Sequence, residues 1–86
     1  PNVPNPFNPS TTIRFRIPAT EQVRLTVFNL TGQRVATLVD EIRPAGRHTI
    51  SWNGCDDAGR ALASGSYLVR LKTAAGQDSR KVMLIR

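Results

Sequence analysis

Apolar side chains alternate with polar ones along four stretches of the sequence, and this period of two predicts β-strands. The stretches are residues 13–17, 23–28, 47–52 and 67–72. Successive side chains of a strand point to opposite faces, so each stretch has one buried and one solvated face. Residues 35–39 and 81–85 are denser in apolar side chains and predict strands covered on both sides. No stretch keeps the apolar spacing of an amphipathic helix, so we expect essentially none.

Turn-forming residues separate these stretches. They are Thr31-Gly32, Pro44-Ala45-Gly46, Asp57-Ala58-Gly59 and Ala74-Ala75-Gly76. Six short strands separated by such turns predict an antiparallel sandwich with Greek-key-like connections. A chain of 86 residues forms one domain with a thin core, which leaves little room for an enclosed active-site pocket.

The first ten residues differ from the rest of the chain, because they contain four prolines and three asparagines. Proline fixes its own φ and keeps the preceding residue out of the helical region. We therefore predict an extended Pro/Asn-rich segment over residues 1–10, held to the core by Phe7, and a β-sandwich over residues 11–86. The sequence opens at Pro1 without a methionine, so we expect it to be part of a longer polypeptide.

The chain is basic, with twelve Lys and Arg against six acidic residues and a formal net charge of +6. Such a balance is compatible with nucleic-acid or membrane partners. The alternation, however, spreads most of the arginines singly over outer strand faces. Nucleic-acid binding also favours aromatics exposed among basic residues, and most aromatics here are in phase with the core. We therefore predict no nucleic-acid partner. The sequence also predicts no transmembrane segment, because no apolar run is long enough to span a bilayer.

Residues able to do chemistry are few and scattered. His48, the only histidine, is in phase with Trp52, which predicts a buried or rim histidine satisfied by a neighbour. Cys55 is the only cysteine, so no internal disulfide forms. Asp56 and Asp57 match a calcium loop poorly and are predicted to make a turn. We predict no catalytic residue, no metal site and no cofactor.

Five sequence motifs in a fixed order carry a family resemblance. They are Pro4-Asn5-Pro6-Phe7-Asn8-Pro9-Ser10-Thr11-Thr12-Ile13, Val27-Phe28-Asn29-Leu30-Thr31-Gly32-Gln33-Arg34-Val35, Ala45-Gly46-Arg47-His48 with Trp52-Asn53-Gly54, Ser64-Gly65-Ser66-Tyr67, and Arg80-Lys81-Val82-Met83-Leu84-Ile85-Arg86. Over nearly the whole chain they resemble the C-terminal sorting domain (type A) of the bacterial type IX secretion system. They are similar also to the immunoglobulin-like domain of the flagellar hook-capping protein. The expected fold is an all-β, immunoglobulin-like antiparallel β-sandwich of about seven strands.

The sorting-domain resemblance implies a C-terminal module that directs a larger passenger protein across the outer membrane for release or cell-surface attachment. The implied partners are the outer-membrane secretion machinery, a sortase-like peptidase, and a covalently linked passenger upstream, often a secreted enzyme such as a glycoside hydrolase. The implied location is secreted or at the cell surface, reached through the periplasm of a Gram-negative bacterium. The domain itself is expected to be non-catalytic.

The resemblance also implies recognition residues near both ends of the chain. They are Pro4, Asn5, Pro6, Phe7, Gly65, Tyr67, Arg80, Lys81, Val82, Leu84 and Arg86. We hypothesise that the last strand lies at or near a sheet edge, where a receptor extends it by strand addition while Arg80, Lys81 and Arg86 add charge contacts. The plainer interpretation is that Val82 and Leu84 fill the core.

Other functions remain open at this point. The first is a non-catalytic carbohydrate-binding or spacer module of a secreted hydrolase, for which Trp52 and Tyr67 are the candidate sugar platform, although both are in core phase. The second is a structural assembly domain of the hook-capping kind. A nucleic-acid binder, which salt-dependent gel shifts would test, is the least favoured.

Overall fold

The fold is an antiparallel β-sandwich, described by a computed structural model over residues 10–86. The six strands of this range are β1 (Thr11–Ile17), β2 (Glu21–Phe28), β3 (Arg34–Arg43), β4 (Gly46–Trp52), β5 (Gly65–Thr73) and β6 (Gly76–Leu84). Strands β1 and β4 form one sheet, and the other has the order β3-β2-β5-β6. The predicted all-β, immunoglobulin-like sandwich is confirmed, with six described strands instead of about seven. Within residues 10–86 no helix is long and apolar enough to cross a membrane.

Most of the predicted N-terminal segment lies outside the described residues. Pro4, Asn5, Pro6 and Phe7 all belong to that undescribed part, and of residues 1–10 the structure describes only Ser10. The expected docking of Phe7 on the core, and the division of the chain into residues 1–10 and 11–86, therefore stay predictions.

The inner faces of the two sheets meet in one apolar core. Its buried residues are Ile13, Phe15, Ile17, Val23, Leu25, Val27, Ala36, Val39, Trp52, Tyr67, Val69 and Leu84. In β1, β2 and β5 they occupy alternate positions, as the period of two requires. Full burial of one such large apolar side chain stabilises the fold by roughly 1.5–3 kcal/mol, so the core is the main source of stability.

The two denser apolar stretches lie in the edge strands β3 and β6 of the four-stranded sheet. For residues 81–85 the prediction of cover on both sides is wrong, because Met83 and Ile85 are 54% and 74% exposed. Residues 35–39 are better covered, but a register shift in β3 leaves Leu38 without a partner on β2. A bulge of this kind breaks the alternation and makes a strand look apolar on both faces.

Trp52 of β4 and Tyr67 of β5 form an aromatic pair that joins the two sheets. Their ring centroids lie 5.2 Å apart in an edge-on arrangement. The Tyr67 hydroxyl donates a hydrogen bond to the Ala63 carbonyl at 2.6 Å, and Trp52 Nε1 donates to the Cys55 carbonyl at 3.0 Å. Both rings are buried, at 1% and 7% exposure, so neither offers the flat platform that a carbohydrate-binding module needs.

Candidate functional site

The predicted recognition residues of the last two strands divide into core and surface positions. Gly65 pairs with Leu84, and Tyr67 pairs with Val82, across the β5-β6 ladder. Tyr67 and Leu84 are buried, and Val82 is half-buried and packs against the core. Strand β6 does lie at a sheet edge, but these side chains point inward and stabilise the sandwich. Their role in recognition stays a prediction.

Arg86 is exposed but is tied to the domain by three hydrogen bonds. Its Nη2 donates to the Gly54 carbonyl at 2.6 Å, and its Nε donates to the Leu62 carbonyl. Its backbone N–H donates to Ser64 Oγ at 2.9 Å. These bonds tie the end of β6 to the 53–64 connection. The charge contact with a receptor that the sequence hypothesis gave to Arg86 stays a prediction.

The substitution Arg86→Ala should therefore destabilise the isolated domain. Loss of charge-assisted hydrogen bonds to two carbonyl groups at a partly exposed site is expected to lower the free energy of unfolding by about 1–2 kcal/mol. Arg16→Ala is the matched control, because Arg16 is exposed on β1 and such surface changes usually stay within about 0.5 kcal/mol. Chemical denaturation measures both variants. Equal midpoints for the two variants would show that Arg86 has no anchoring role.

Arg80 and Thr11 bridge the open side of the sandwich between β6 and β1. Arg80 Nη1 donates to the Arg14 carbonyl at 3.3 Å, and Thr11 Oγ1 donates to the Met83 carbonyl at 3.2 Å. Apolar core side chains line the slot behind these contacts. Arg80 is thus partly engaged within the domain, while Lys81 projects from the outer side of β6.

The outer face of the four-stranded sheet concentrates the positive charge. Strand pairing aligns its side chains in three rows: Asp40, Arg24, Lys72 and Gln77; Thr37, Thr26, Arg70 and Ser79; and Arg34, Phe28, Leu68 and Lys81. These rows hold five cationic side chains and one carboxylate. We name the surface formed by Arg24, Arg34, Arg70, Lys72, Lys81 and Phe28 the basic face.

Phe28 lies among the cations of the basic face and orders one of them. The guanidinium carbon of Arg70 is 4.5 Å from the centroid of the Phe28 ring. Such a cation–π contact is worth about 0.5–1 kcal/mol at an exposed site. Sequence reasoning grouped most aromatics with the core and overlooked this residue. The signal was present, because Phe28 shares the solvent phase of β2 with Arg24.

The cations of the basic face have no ion-pair partner among the described residues. The ion pairs within 4.0 Å in residues 10–86 are Arg43–Glu41, Arg60–Asp56 and Arg80–Asp78, and all lie away from this face. Residues 1–9 contain no charged side chain, so they add no carboxylate. The opposite surface, the outer face of the β1-β4 sheet, carries Arg14, Arg16 and Arg47.

The only histidine is satisfied within the fold, as predicted. His48 Nε2 lies 2.7 Å from the Pro44 carbonyl oxygen, and its ring stacks on Phe15 with the centroids 5.3 Å apart. No serine or cysteine hydroxyl or thiol hydrogen-bonds to His48 within residues 10–86. The described part of the chain therefore shows no nucleophile–base pair.

The Asp56-Asp57 loop makes turns, as predicted. The Asp56 carboxylate accepts the backbone N–H groups of Ala58 and Arg60. The Arg60 backbone hydrogen bond is the main reason that the pKa of Asp56 lies below its ordinary value. Asp57 accepts the backbone N–H of Thr37 at 2.9 Å. Among residues 10–86 no three His, Cys, Asp or Glu side chains are grouped to hold a metal ion.

Comparison with known proteins identifies a matching family and structural relatives, one of which is FlgD. The family described as FlgD Ig-like domain matches residues 7–77. The structure of FlgD from P. aeruginosa superposes with a TM-score of 0.69 and 19% sequence identity, and the match covers 87% of this chain and 59% of that chain. At this identity the likeness establishes the fold alone, and the chain spans less than two thirds of that protein. No curated protein sequence matches the chain.

These matches correct the predicted function. The prediction of a type IX sorting module is wrong, because the family that matches is FlgD Ig-like. For the same reason, its predicted partners, the secretion machinery and the sortase-like peptidase, are wrong. The alternative prediction, a carbohydrate-binding module or an appendage of a glycoside hydrolase, is wrong as well. The five motifs were also similar to the immunoglobulin-like domain of the hook-capping protein, and that second resemblance is the one supported. A non-catalytic domain agrees with this family, but attachment to a secreted enzyme has no support. The chain belongs to the FlgD Ig-like domain family.

Proposed function

We propose that this domain is a non-catalytic structural module, of the flagellar hook-capping kind, through which a larger protein joins an assembly of protein subunits. The match of residues 7–77 to the FlgD Ig-like family carries this proposal. The sandwich fold shared with FlgD from P. aeruginosa supports it. That this chain also contacts partner subunits is part of the proposal, because the match covers only 59% of the FlgD chain.

The distribution of polar groups also supports an assembly role. His48, Asp56 and Asp57 are engaged in hydrogen bonds that shape the domain itself. The outer sheet faces, in contrast, present arginines without ion-pair partners in the described range. Arginine and aromatic side chains are enriched at protein–protein interfaces, where they supply much of the binding energy. The surface is therefore suited to hold a partner.

Deletion of the domain from the full-length protein tests this function. In the organism that makes the protein, we expect the truncated form to accumulate to the same level while the particle that contains it sediments more slowly in a sucrose gradient. The control is the full-length protein carrying Arg16→Ala, which changes one exposed side chain of β1. Unchanged sedimentation of the truncated form, with an unchanged set of co-sedimenting proteins, would contradict an assembly role.

We further propose that the parent protein acts outside the cytoplasm, at the cell surface or in secreted form. The match to the FlgD Ig-like family supports this location, because the flagellar hook lies outside the cell body. Protease added to intact cells should digest the domain while a cytoplasmic marker protein stays whole. Complete protection of the domain until the cells are lysed would contradict the proposal.

A further inference from the structure

We infer that the basic face is the docking surface of the domain and that its partner is a protein surface rich in carboxylates. This inference rests on the proposed function and names the chemistry of the subunit that the domain would contact. Five cations are matched by the single carboxylate of Asp40, which already accepts a hydrogen bond from Gln22 at the corner of the face. An acidic protein surface would be electrostatically complementary to this surplus of positive charge.

The geometry of the face favours a broad protein surface over a single polymer strand. Its cations are spread across β3, β2, β5 and β6. Four of them, Arg24, Arg34, Arg70 and Lys72, line one open depression together with Phe28, and Lys81 lies beyond it on β6. Neutral hydrogen-bonding groups, Thr37, Gln77 and Ser79, lie between them. An interface of mixed polar groups that includes an aromatic side chain resembles the usual anatomy of protein–protein contacts.

The contact between Phe28 and Arg70 argues against base stacking on the basic face. Single-stranded nucleic acids bind by stacking bases on exposed aromatic rings. Here the Arg70 guanidinium, 4.5 Å from the ring centroid, covers one face of Phe28, and the ring itself is half-buried. The ring instead holds the planar guanidinium in place, which favours paired hydrogen bonds to a carboxylate.

A matched pair of charge-reversal variants tests the inference. The 86-residue chain is titrated with polyglutamate at physiological ionic strength, and the basic-face variant carries Arg24→Glu, Arg70→Glu and Lys72→Glu. We expect this variant to bind at least about tenfold more weakly than the unmodified chain, because close charge pairs at an interface contribute strongly to affinity. Higher salt should weaken binding of the unmodified chain, since exposed charges are screened.

The control variant reverses three cations of the opposite surface, Arg14→Glu, Arg16→Glu and Arg47→Glu. In each variant three reversals of two charge units take the formal net charge from +6 to 0. Any difference between the variants therefore reports position and not total charge. We expect the control to lose less than about threefold in affinity, as distant surface charges act mainly through the screened long-range field.

Several results would overturn the inference. Equal losses in both variants would show that net charge alone attracts the polyanion. Tighter binding of a DNA duplex with the same number of charges, lost on the same face, would assign the face to phosphates. Failure of the unmodified chain to bind polyglutamate would also overturn it. Circular dichroism checks that each variant is folded. If the basic-face variant misfolds, the neutral set Arg24→Gln, Arg70→Gln and Lys72→Gln replaces it, and we expect its affinity for polyglutamate to fall at least about fivefold.

The two proposals fail in different ways. If the basic face does not bind polyglutamate but deletion of the domain still disrupts the assembly, the docking inference falls and the assembly function stands. If the deletion leaves the assembly unchanged, the proposed function falls whatever the polyglutamate titration shows.

Discussion

Replacing Trp52 with alanine should lower the free energy of unfolding by about 3–5 kcal/mol, the range for loss of a large buried aromatic side chain. A domain of 86 residues has a total stability of roughly 4–13 kcal/mol, at about 0.05–0.15 kcal/mol per residue. The change therefore removes a large part of the total. The melting temperature should fall by about 12–40 °C.

Three features of the fold make Trp52 critical. Its ring is 1% exposed, so truncation leaves a cavity in a thin core. The edge-on contact with Tyr67 joins the β1-β4 sheet to the four-stranded sheet, and its loss loosens the sandwich. The Cys55 carbonyl also loses its donor in the 53–64 connection. With a single cysteine, the chain has no internal disulfide to limit the damage.

Thermal melts followed by far-ultraviolet circular dichroism measure this loss. Fluorescence is unsuitable, because Trp52 is the only tryptophan of the chain. Trp52→Phe is the control: it keeps an aromatic ring but removes the Nε1 donor, and should lower the stability by about 1–3 kcal/mol. If the alanine variant melts at the same temperature as the phenylalanine variant, the cavity makes no contribution and the role assigned to the ring is wrong.

Much of the core could be predicted from the sequence because its signal is local. Ile13, Phe15 and Ile17 alternate with arginine and threonine, and the period of two alone places them on one face. The same rule, applied to β2, puts Phe28 in phase with Arg24 on the solvent side, a signal that was overlooked. That Arg70 would lie over the Phe28 ring was not predictable, since it depends on the register between β2 and β5, which the alternation does not specify.

The candidate sites were harder to predict for a related reason. Arg86 appears in the sequence as an exposed basic end, yet it donates hydrogen bonds to Gly54 and Leu62, which lie far from it along the chain. Whether a strand lies at the edge or in the middle of a sheet is also a property of the assembled sheet. The motifs were shared by two families with the same fold, so they specified the sandwich and left the function open.

Gly54→Ala should destabilise the domain by about 2–4 kcal/mol for two additive reasons. Gly54 has a φ of +78°, where a residue with a Cβ atom is disfavoured by roughly 1–2 kcal/mol. A Cβ at this position would lie 2.7 Å from Leu84 Cδ1 and 2.9 Å from Arg86 Nη2. Leu84 is 1% exposed and cannot move without disturbing the core, so overpacking adds about 1–2 kcal/mol.

Gly59→Ala separates these two contributions. Gly59 has a similar φ of +82°, but a Cβ there meets no atom within 4 Å, so only the backbone contribution remains. Urea denaturation should therefore give a loss for Gly54→Ala that exceeds the loss for Gly59→Ala by about 1–2 kcal/mol. The double variant Gly54→Ala with Leu84→Ala relieves the closest contact, and its loss should be smaller than the sum of the two single losses. Equal losses for the two glycine variants would mean that Leu84 and Arg86 do not pack tightly against Gly54, and the anchoring of the chain end at this loop would then be wrong.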